Sequence, residues 1–288
     1  MLGMNALGQN GRLGNQMFQF AALVGIAKNR GYDYCIPDHS KALYFDKMQG
    51  DEIITVNHQL QHLFQMKDVK LGLIEGEEGE DDMKWVKLEQ AEFCEELFNE
   101  CPDNSTLYGY FESYHYFENV EKELRELFTF DPFISMGARA FHIGSENPVA
   151  LNVRRGKDFI RVQDFHPPCS EEYYKEAIER LGKDRQYVVI ADDIEWCKET
   201  FKGDNYIFND TVPDGMYKGH YDLAVGAMCD DFIISNSTFS WWMAYLGTSE
   251  TKKVYAPDPW FGSALKDIDT EGYYPEWIEK IEREIVAV

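Results

Sequence analysis

Residue types able to do chemistry gather in three short stretches of the second half of the chain. Arg154-Arg155-Gly156 follows the apolar run Val149 to Val153, and Asp192-Asp193 follows the run Tyr187 to Ala191. Asn236-Ser237-Thr238-Phe239-Ser240 follows a third apolar run that ends at Ile234. Paired guanidinium forks bind phosphate bidentately, through charge-assisted bonds roughly twice as strong as neutral ones. A hydroxyl-rich turn at a helix start offers free backbone N–H groups to the same kind of anion. An aspartate pair at a strand end has several outlets. It can accept from a nucleobase edge, hold a metal, act as a base, or cap the next helix. Together the stretches point to a nucleotide-activated small molecule.

The elements that must carry these residues alternate regularly. Strands are expected at Val149 to Val153, Tyr187 to Ala191, Tyr206 to Phe208, Phe232 to Ile234 and Val254 to Ala256. Helices are expected at Glu171 to Leu181, capped by Ser170, then around Trp196, from Tyr221 to Met228, and after Ser237. Strands that are apolar without alternation predict a parallel sheet covered on both faces. In such sheets ligands bind beyond the carboxyl ends of the strands. That rule collects Arg154, Arg155, Asp192, Asp193, Asn236, Ser237 and Thr238 on one rim. Trp241 and Trp242 read as core anchors for the helix that follows. Trp277, Ile278, Ile281 and Ile285 share one helical face, which predicts a C-terminal helix.

The first half is less regular. Gly11-Arg12-Leu13-Gly14-Asn15-Gln16-Met17-Phe18 opens a long apolar helix, with Met17, Phe20, Ala21, Val24 and Ala27 at helical spacing and Gly31 as its stop. Strands are expected at Asp33 to Pro37 and Leu107 to Phe111, and an amphipathic helix around Val120, Leu124 and Leu127. Glu75 to Asp82 reads as a solvated acidic loop. A short helical stretch lies between Asp131-Pro132 and Asn147-Pro148. The boundary is set there, giving a first domain at 1–146 and a second at 147–288.

Composition narrows the classes. With 288 residues, 44% hydrophobic and 15% aromatic, the chain is globular and long enough for two cores. Its 28 basic and 51 acidic residues give a net charge of −23, which repels nucleic acid and anionic membrane surfaces. A phosphate site must therefore be a local basic pocket in an acidic shell. No apolar run reaches about 18 residues and no signal peptide opens the chain, so a cytoplasmic protein is expected, at most peripheral to a membrane where glycans are assembled. The six cysteines form no C-x-x-C pair and read as reduced thiols. Walker, G-x-G-x-x-G and nucleophile-elbow patterns are missing from the sequence. Asp267-Ile-Asp269 is not preceded by an apolar strand and reads as a polar loop rather than a metal site.

At these motifs the chain resembles glycosyltransferase family 11, the α-1,2-fucosyltransferases. The family's G-R-L-G-N-Q-M-F matches Gly11 to Phe18, and its G-Y-F-Q-S is similar to Gly109-Tyr110-Phe111-Glu112-Ser113. Its H-x-R-R-G-D-Y resembles Asn152 to Phe159, its S-D-D followed by W resembles Ala191-Asp192-Asp193 with Trp196, and its N-S-T-F-S-W-W is unchanged at Asn236 to Trp242. The resemblance implies an α/β, GT-B-like fold of two Rossmann-type parallel-sheet domains with a cleft between them. The first would form the acceptor side, and the second would hold GDP-β-L-fucose. Fucose would pass, with inversion and without a metal or other cofactor, to a glycan hydroxyl, most simply O2 of a galactose.

The residue roles carry over in the same way. Arg154 would hold the β-phosphate, with Arg155 supporting it or bridging to an acidic neighbour. Asp192 or Asp193 would read the guanine, and the turn from Asn236 through Ser237, Thr238 and Ser240 would donate to the diphosphate. Gly14, Asn15 and Gln16 would face the cleft. Two departures stand out. Asn152 replaces the family's His as a nucleotide contact, and Lys157 is inserted before Asp158. Asp158 is the candidate base for the acceptor hydroxyl, with base-free transfer as the alternative. Another donor or linkage, a nucleotide-sugar hydrolase and a non-catalytic nucleotide- or glycan-binding relative are the rival readings. Acceptor identity and oligomeric state are not encoded in these motifs.

Overall fold

Two parallel sheets organise the chain, each at the centre of its own compact unit. The computed structural model describes residues 1–38, 45–49, 52–56, 59–76, 84–88 and 92–285, with backbone alone for 45–49, 52–56 and 158. The first unit comprises residues 1–131 with 269–273, and the second comprises 132–268 with 274–288. Part of the expected acidic loop at Glu75 to Asp82 lies outside the described residues.

In the first unit the elements run β1 (Leu2–Gly3), α1 (Leu13–Arg30), β2 (Tyr34–Ile36), β3 (Phe45–Gln49), β4 (Glu52–Val56), α2 (Leu60–Leu63), β5 (Lys70–Leu71), β6 (Trp85–Lys87), α3 (Glu95–Glu100), β7 (Ser105–Tyr108) and α4 (Glu121–Leu127). Its main sheet has the order β5-β2-β1-β7-β6, every pair parallel, while β3 and β4 form a separate antiparallel pair. The chain order reverses between β1 and β7, which makes a switch point there. Helix α1 is buried from Leu13 to Ala27 apart from Asn15. It ends at Gly31, whose φ of 69° is the left-handed cap that glycine adopts without strain.

The second unit runs α5 (Pro132–Phe141), β8 (Val149–Val153), α6 (Lys157–Ile160), α7 (Glu171–Leu181), β9 (Tyr187–Ala191), α8 (Ile194–Thr200), β10 (Tyr206–Phe208), α9 (Lys218–Ala227), β11 (Asp231–Ile233), α10 (Thr238–Leu246), β12 (Val254–Asp258) and β13 (Glu279–Glu282). Its all-parallel sheet has the order β10-β9-β8-β11-β12-β13. Counted within the unit this is 3-2-1-4-5-6, the Rossmann order, with its switch point between β8 and β11. Val149, Leu151, Val189 and Ile233 fill one core with Tyr173 and Tyr174 of α7. The Tyr173 hydroxyl donates to the carbonyls of Ile234, at 2.5 Å, and Tyr255, at 3.0 Å, pinning α7 to two strands.

Two features depart from the sequence reading. Helix α5, assigned by the 146/147 boundary to the first domain, packs on α9 and falls within the second unit. The expected C-terminal helix is instead the edge strand β13, parallel to β12. Of its four residues only Ile281 is buried, while Glu279, Lys280 and Glu282 face outward as charged edge positions do. Trp277 lies before the strand, its ring 5.4 Å from that of Trp241. Too few apolar positions were present for periodicity to separate strand from helix.

Candidate active site

Adjacency of β8 and β11 brings two of the three predicted stretches to one switch point, and β9 on the other side of β8 brings the third. Beyond β8, Arg154 is paired with Asp192, which follows β9. Asp192 also accepts from the backbone N–H of Arg155 at 2.8 Å and of Gly156 at 2.9 Å. One carboxylate thus fixes both the arginine side chain and the turn that carries it. Arg154 lies with its guanidinium carbon 5.0 Å from the Phe159 ring centre. Arg155 takes a different direction, stacking 4.0 Å over Trp196, and its Nε is buried without a hydrogen-bond partner.

The remaining predicted residues divide between scaffold and surface. Asp193 caps α8 by accepting from Trp196 N at 3.2 Å. Asn152, expected to contact nucleotide, is instead buried and ties β8 to β9 and to the turn after β11: it donates to Ile190 O at 3.1 Å and accepts from Ser235 Oγ at 2.6 Å. Asn236 is also buried, donating at 3.0 Å to both Pro167 O and Trp260 O. Ser240 is fully buried, donating to Ser235 O and Ser237 O, each at 3.0 Å. Thus Asn236 and Ser240 brace the turn. Ser237 and Thr238 are half-buried at the start of α10, and the Ser237 side chain makes no capping bond. Trp241 and Trp242 are fully buried, as anchors should be. The backbone of Asp158 lies in α6, and its side chain lies outside the described residues. Among the described residues, no group of three His, Cys, Asp or Glu side chains could hold a metal ion.

Sequence reasoning missed His166. Its ring stacks on Phe159 at 5.7 Å and 19°, on the ring that also carries Arg154, and leans on Phe261 at 5.5 Å. Burial and then the Arg154 charge pull its pKa below the usual imidazole value. A lone His before Pro167-Pro168 carries no spacing signal that would have found it.

In the first unit, the switch point between β1 and β7 holds a second constellation. Gln19 ties the two loops together, donating to Asn10 O at 2.9 Å and Gly109 O at 3.0 Å. Asn15, in the first turn of α1, is half-buried and donates to Glu112 Oε1. Glu112 Oε2 accepts from the Tyr273 hydroxyl at 2.5 Å. Gly14 is buried behind them, and Gln16 is fully buried, accepting from Gln59 N at 2.8 Å. Of the three predicted here, Asn15 alone is open to solvent, and Gln16 serves the scaffold. Gly11 has φ +79°, and a Cβ there would stand 2.5 Å from Asn15 Cγ, so glycine makes room for that side chain. Burial drives the Glu112 carboxyl up to about 7, although hydrogen bonds from Tyr273 and Asn15 pull the other way. The signal for Glu112 was a single carboxylate in the aromatic run Tyr110-Phe111-Glu112-Ser113-Tyr114.

Comparison with known proteins agrees with this construction. The family model described as Glycosyl transferase family 11 matches residues 1–280. An α-1,2-colitosyltransferase of Escherichia coli is 28% identical, over 87% of this chain and 90% of that one. The galactoside 2-α-L-fucosyltransferase Sec1 of Mus musculus is 24% identical, over 96% of this chain and 73% of that one. Among solved structures, POFUT1 in complex with GDP-fucose superposes with a TM-score of 0.55 at 12% identity, covering 88% of this chain and 96% of that one. At that identity the likeness is one of fold, and it supports the GT-B-like architecture.

Proposed function

The chain belongs to glycosyltransferase family 11, and from that premise we propose that it is an inverting fucosyltransferase that moves L-fucose from GDP-β-L-fucose to a glycan hydroxyl, O2 of a galactose in the simplest case. The observation that carries this reading is Arg154, held by Asp192 at the switch point of a Rossmann-order sheet, beside the start of α10.

In this reading Arg154 and the Ser237-Thr238 turn bind the diphosphate. As the acceptor oxygen bonds to C1 of fucose, the C1–O bond to phosphate breaks and GDP leaves with the electron pair. The acceptor proton passes to Asp158 or to an oxygen of the departing phosphate. Negative charge grows on that phosphate, so a preoriented guanidinium stabilises the transition state more than the ground state. No metal is required, because the cation is built into the chain. The rim of the first sheet, where Asn15 lies, is assigned to the acceptor.

The Escherichia coli relative favours a second donor, since it transfers colitose. The test offers GDP-fucose and nucleotide-activated colitose with a panel of galactosides, with and without EDTA. Acceptor-dependent GDP release from GDP-fucose that ignores EDTA supports the proposal. Transfer from the colitose donor alone overturns the donor, and acceptor-independent release makes the protein a hydrolase. Loss of transfer in Asp158→Asn would assign the proton to that carboxylate.

A further inference from the structure

A titratable carboxyl is buried in the turn that follows β7. Glu112 is 9% exposed, and both oxygens are engaged, Oε1 by the Asn15 side chain and Oε2 by Tyr273. Its backbone is held firmly: Ser113 N donates to Phe111 O at 2.9 Å around it, and Phe111 adopts a φ of +56°, an unusual value for a residue with a side chain. The turn follows the carboxyl end of β7, and β7 lies beside β1 where the order of the first sheet reverses and where ligands of such sheets bind. Asn15 is the member of this group that reaches solvent.

We propose that Glu112 is a positioning residue for sugar transfer: its ionised carboxylate holds the Asn15 amide in place, and Tyr273 braces the opposite oxygen. The inference rests on the transferase reading. A carboxylate accepts from both neighbours with charge-assisted strength, whereas the neutral acid turns its own proton to the Tyr273 oxygen and holds the Asn15 amide only through a neutral carbonyl oxygen. The group is poised for this change, since burial holds it at about 7. The groups facing it are Asn15 from α1, Tyr273 from the 269–273 segment and, from its own segment, Tyr110, whose hydroxyl its charge pushes upward after burial does. A glutamine here would fill the same space without titrating.

The test measures kcat and KM from pH 5.5 to 9 for the wild type, Glu112→Gln and Tyr273→Phe, with a thermal melt at each pH. In the wild type, turnover falls as pH drops through about 7. Glu112→Gln removes that limb and lowers kcat/KM at pH 8 by about tenfold, the difference between a charge-assisted and a neutral hydrogen bond. Tyr273→Phe removes a bond that favours the charged form, so the limb moves to higher pH. An unchanged limb in Glu112→Gln, or one that stays in place in folded Tyr273→Phe, overturns the proposal.

If the wild type transfers no sugar from any donor, the transferase reading fails, and the network is followed by NMR instead. The Asn15 side-chain amide, assigned by its loss in Asn15→Ala, should then shift with the same midpoint as the Glu112 carboxyl. A signal that does not move overturns the coupling.

Discussion

Asp192 holds Arg154 across the carboxyl ends of β9 and β8, and the same carboxylate accepts from the backbone on which Arg154 sits. The arginine is therefore oriented before any ligand arrives. Arg154→Ala should lower kcat/KM by about a hundredfold or more, as the loss of an oxyanion donor does. Asp192→Asn should lower it by about tenfold, since the amide keeps the shape and loses the charge. The double variant should be little worse than Arg154→Ala, because Asp192 acts through the arginine. Additive losses in a double-mutant cycle would mean that Asp192 has its own ligand, such as the guanine edge.

Within the turn after β11, binding and stability should separate cleanly. Ser237→Ala and Thr238→Val should raise KM for the donor about tenfold, the loss of one hydrogen bond to a charged group, and leave the melting temperature near that of the wild type. Trp241→Ala should do the reverse. Trp241 is fully buried and stacks on Tyr245 at 5.5 Å. Its truncation should destabilise by about 3–5 kcal/mol, enough to unfold many domains. Donor titrations and thermal melts on all three variants check the division.

His166 offers a probe that needs no turnover. Its pKa is lowered by burial and by the Arg154 charge, so at neutral pH the ring is uncharged. A diphosphate bound by Arg154 would offset that positive charge. Addition of GDP should therefore raise the His166 midpoint in an NMR titration, and Arg154→Ala should raise it without GDP. A midpoint indifferent to GDP would place the diphosphate away from this rim.

Sequence served the second unit better than the first because its strands are long enough to show their type. Val149 to Val153 and Tyr187 to Ala191 are five-residue runs, apolar but for Asn152, each followed by a charged pair. Leu2–Gly3 and Lys70–Leu71 are two-residue strands with no periodicity to read. The same limit hid β13, whose single buried residue fits either period. At the site, residue type predicted location but not direction. Asn152, Asn236, Ser240 and Gln16 are polar residues at the expected places whose partners are protein atoms, because a buried loop must satisfy its own carbonyls and amides. Glu112 was legible as a residue and not as a group, because Tyr273 reaches it from 161 positions away.

The buried carboxyl also makes a stability prediction that depends on pH. Glu112 has its folded pKa raised from 4.5 to about 7. Below about 4.5 the folded and unfolded chains are both protonated there, and its stabilising contribution relative to neutral pH is fully present. Between those values the unfolded chain ionises first, so stability falls as pH rises. Above about 7 the penalty is complete, roughly 3 kcal/mol at 1.36 kcal/mol per pKa unit. Glu112→Gln removes the titration, and its amide keeps both contacts, the oxygen accepting from Asn15 and the nitrogen donating to the Tyr273 oxygen. The variant should melt above the wild type at pH 8 and close to it at pH 4. A difference that stays constant across that range would show that Glu112 keeps one protonation state throughout. If the gap opens with pH as expected, the wild type keeps, at working pH, a charge that weakens its own fold. Holding Asn15 for the transfer step then gives that burial a function.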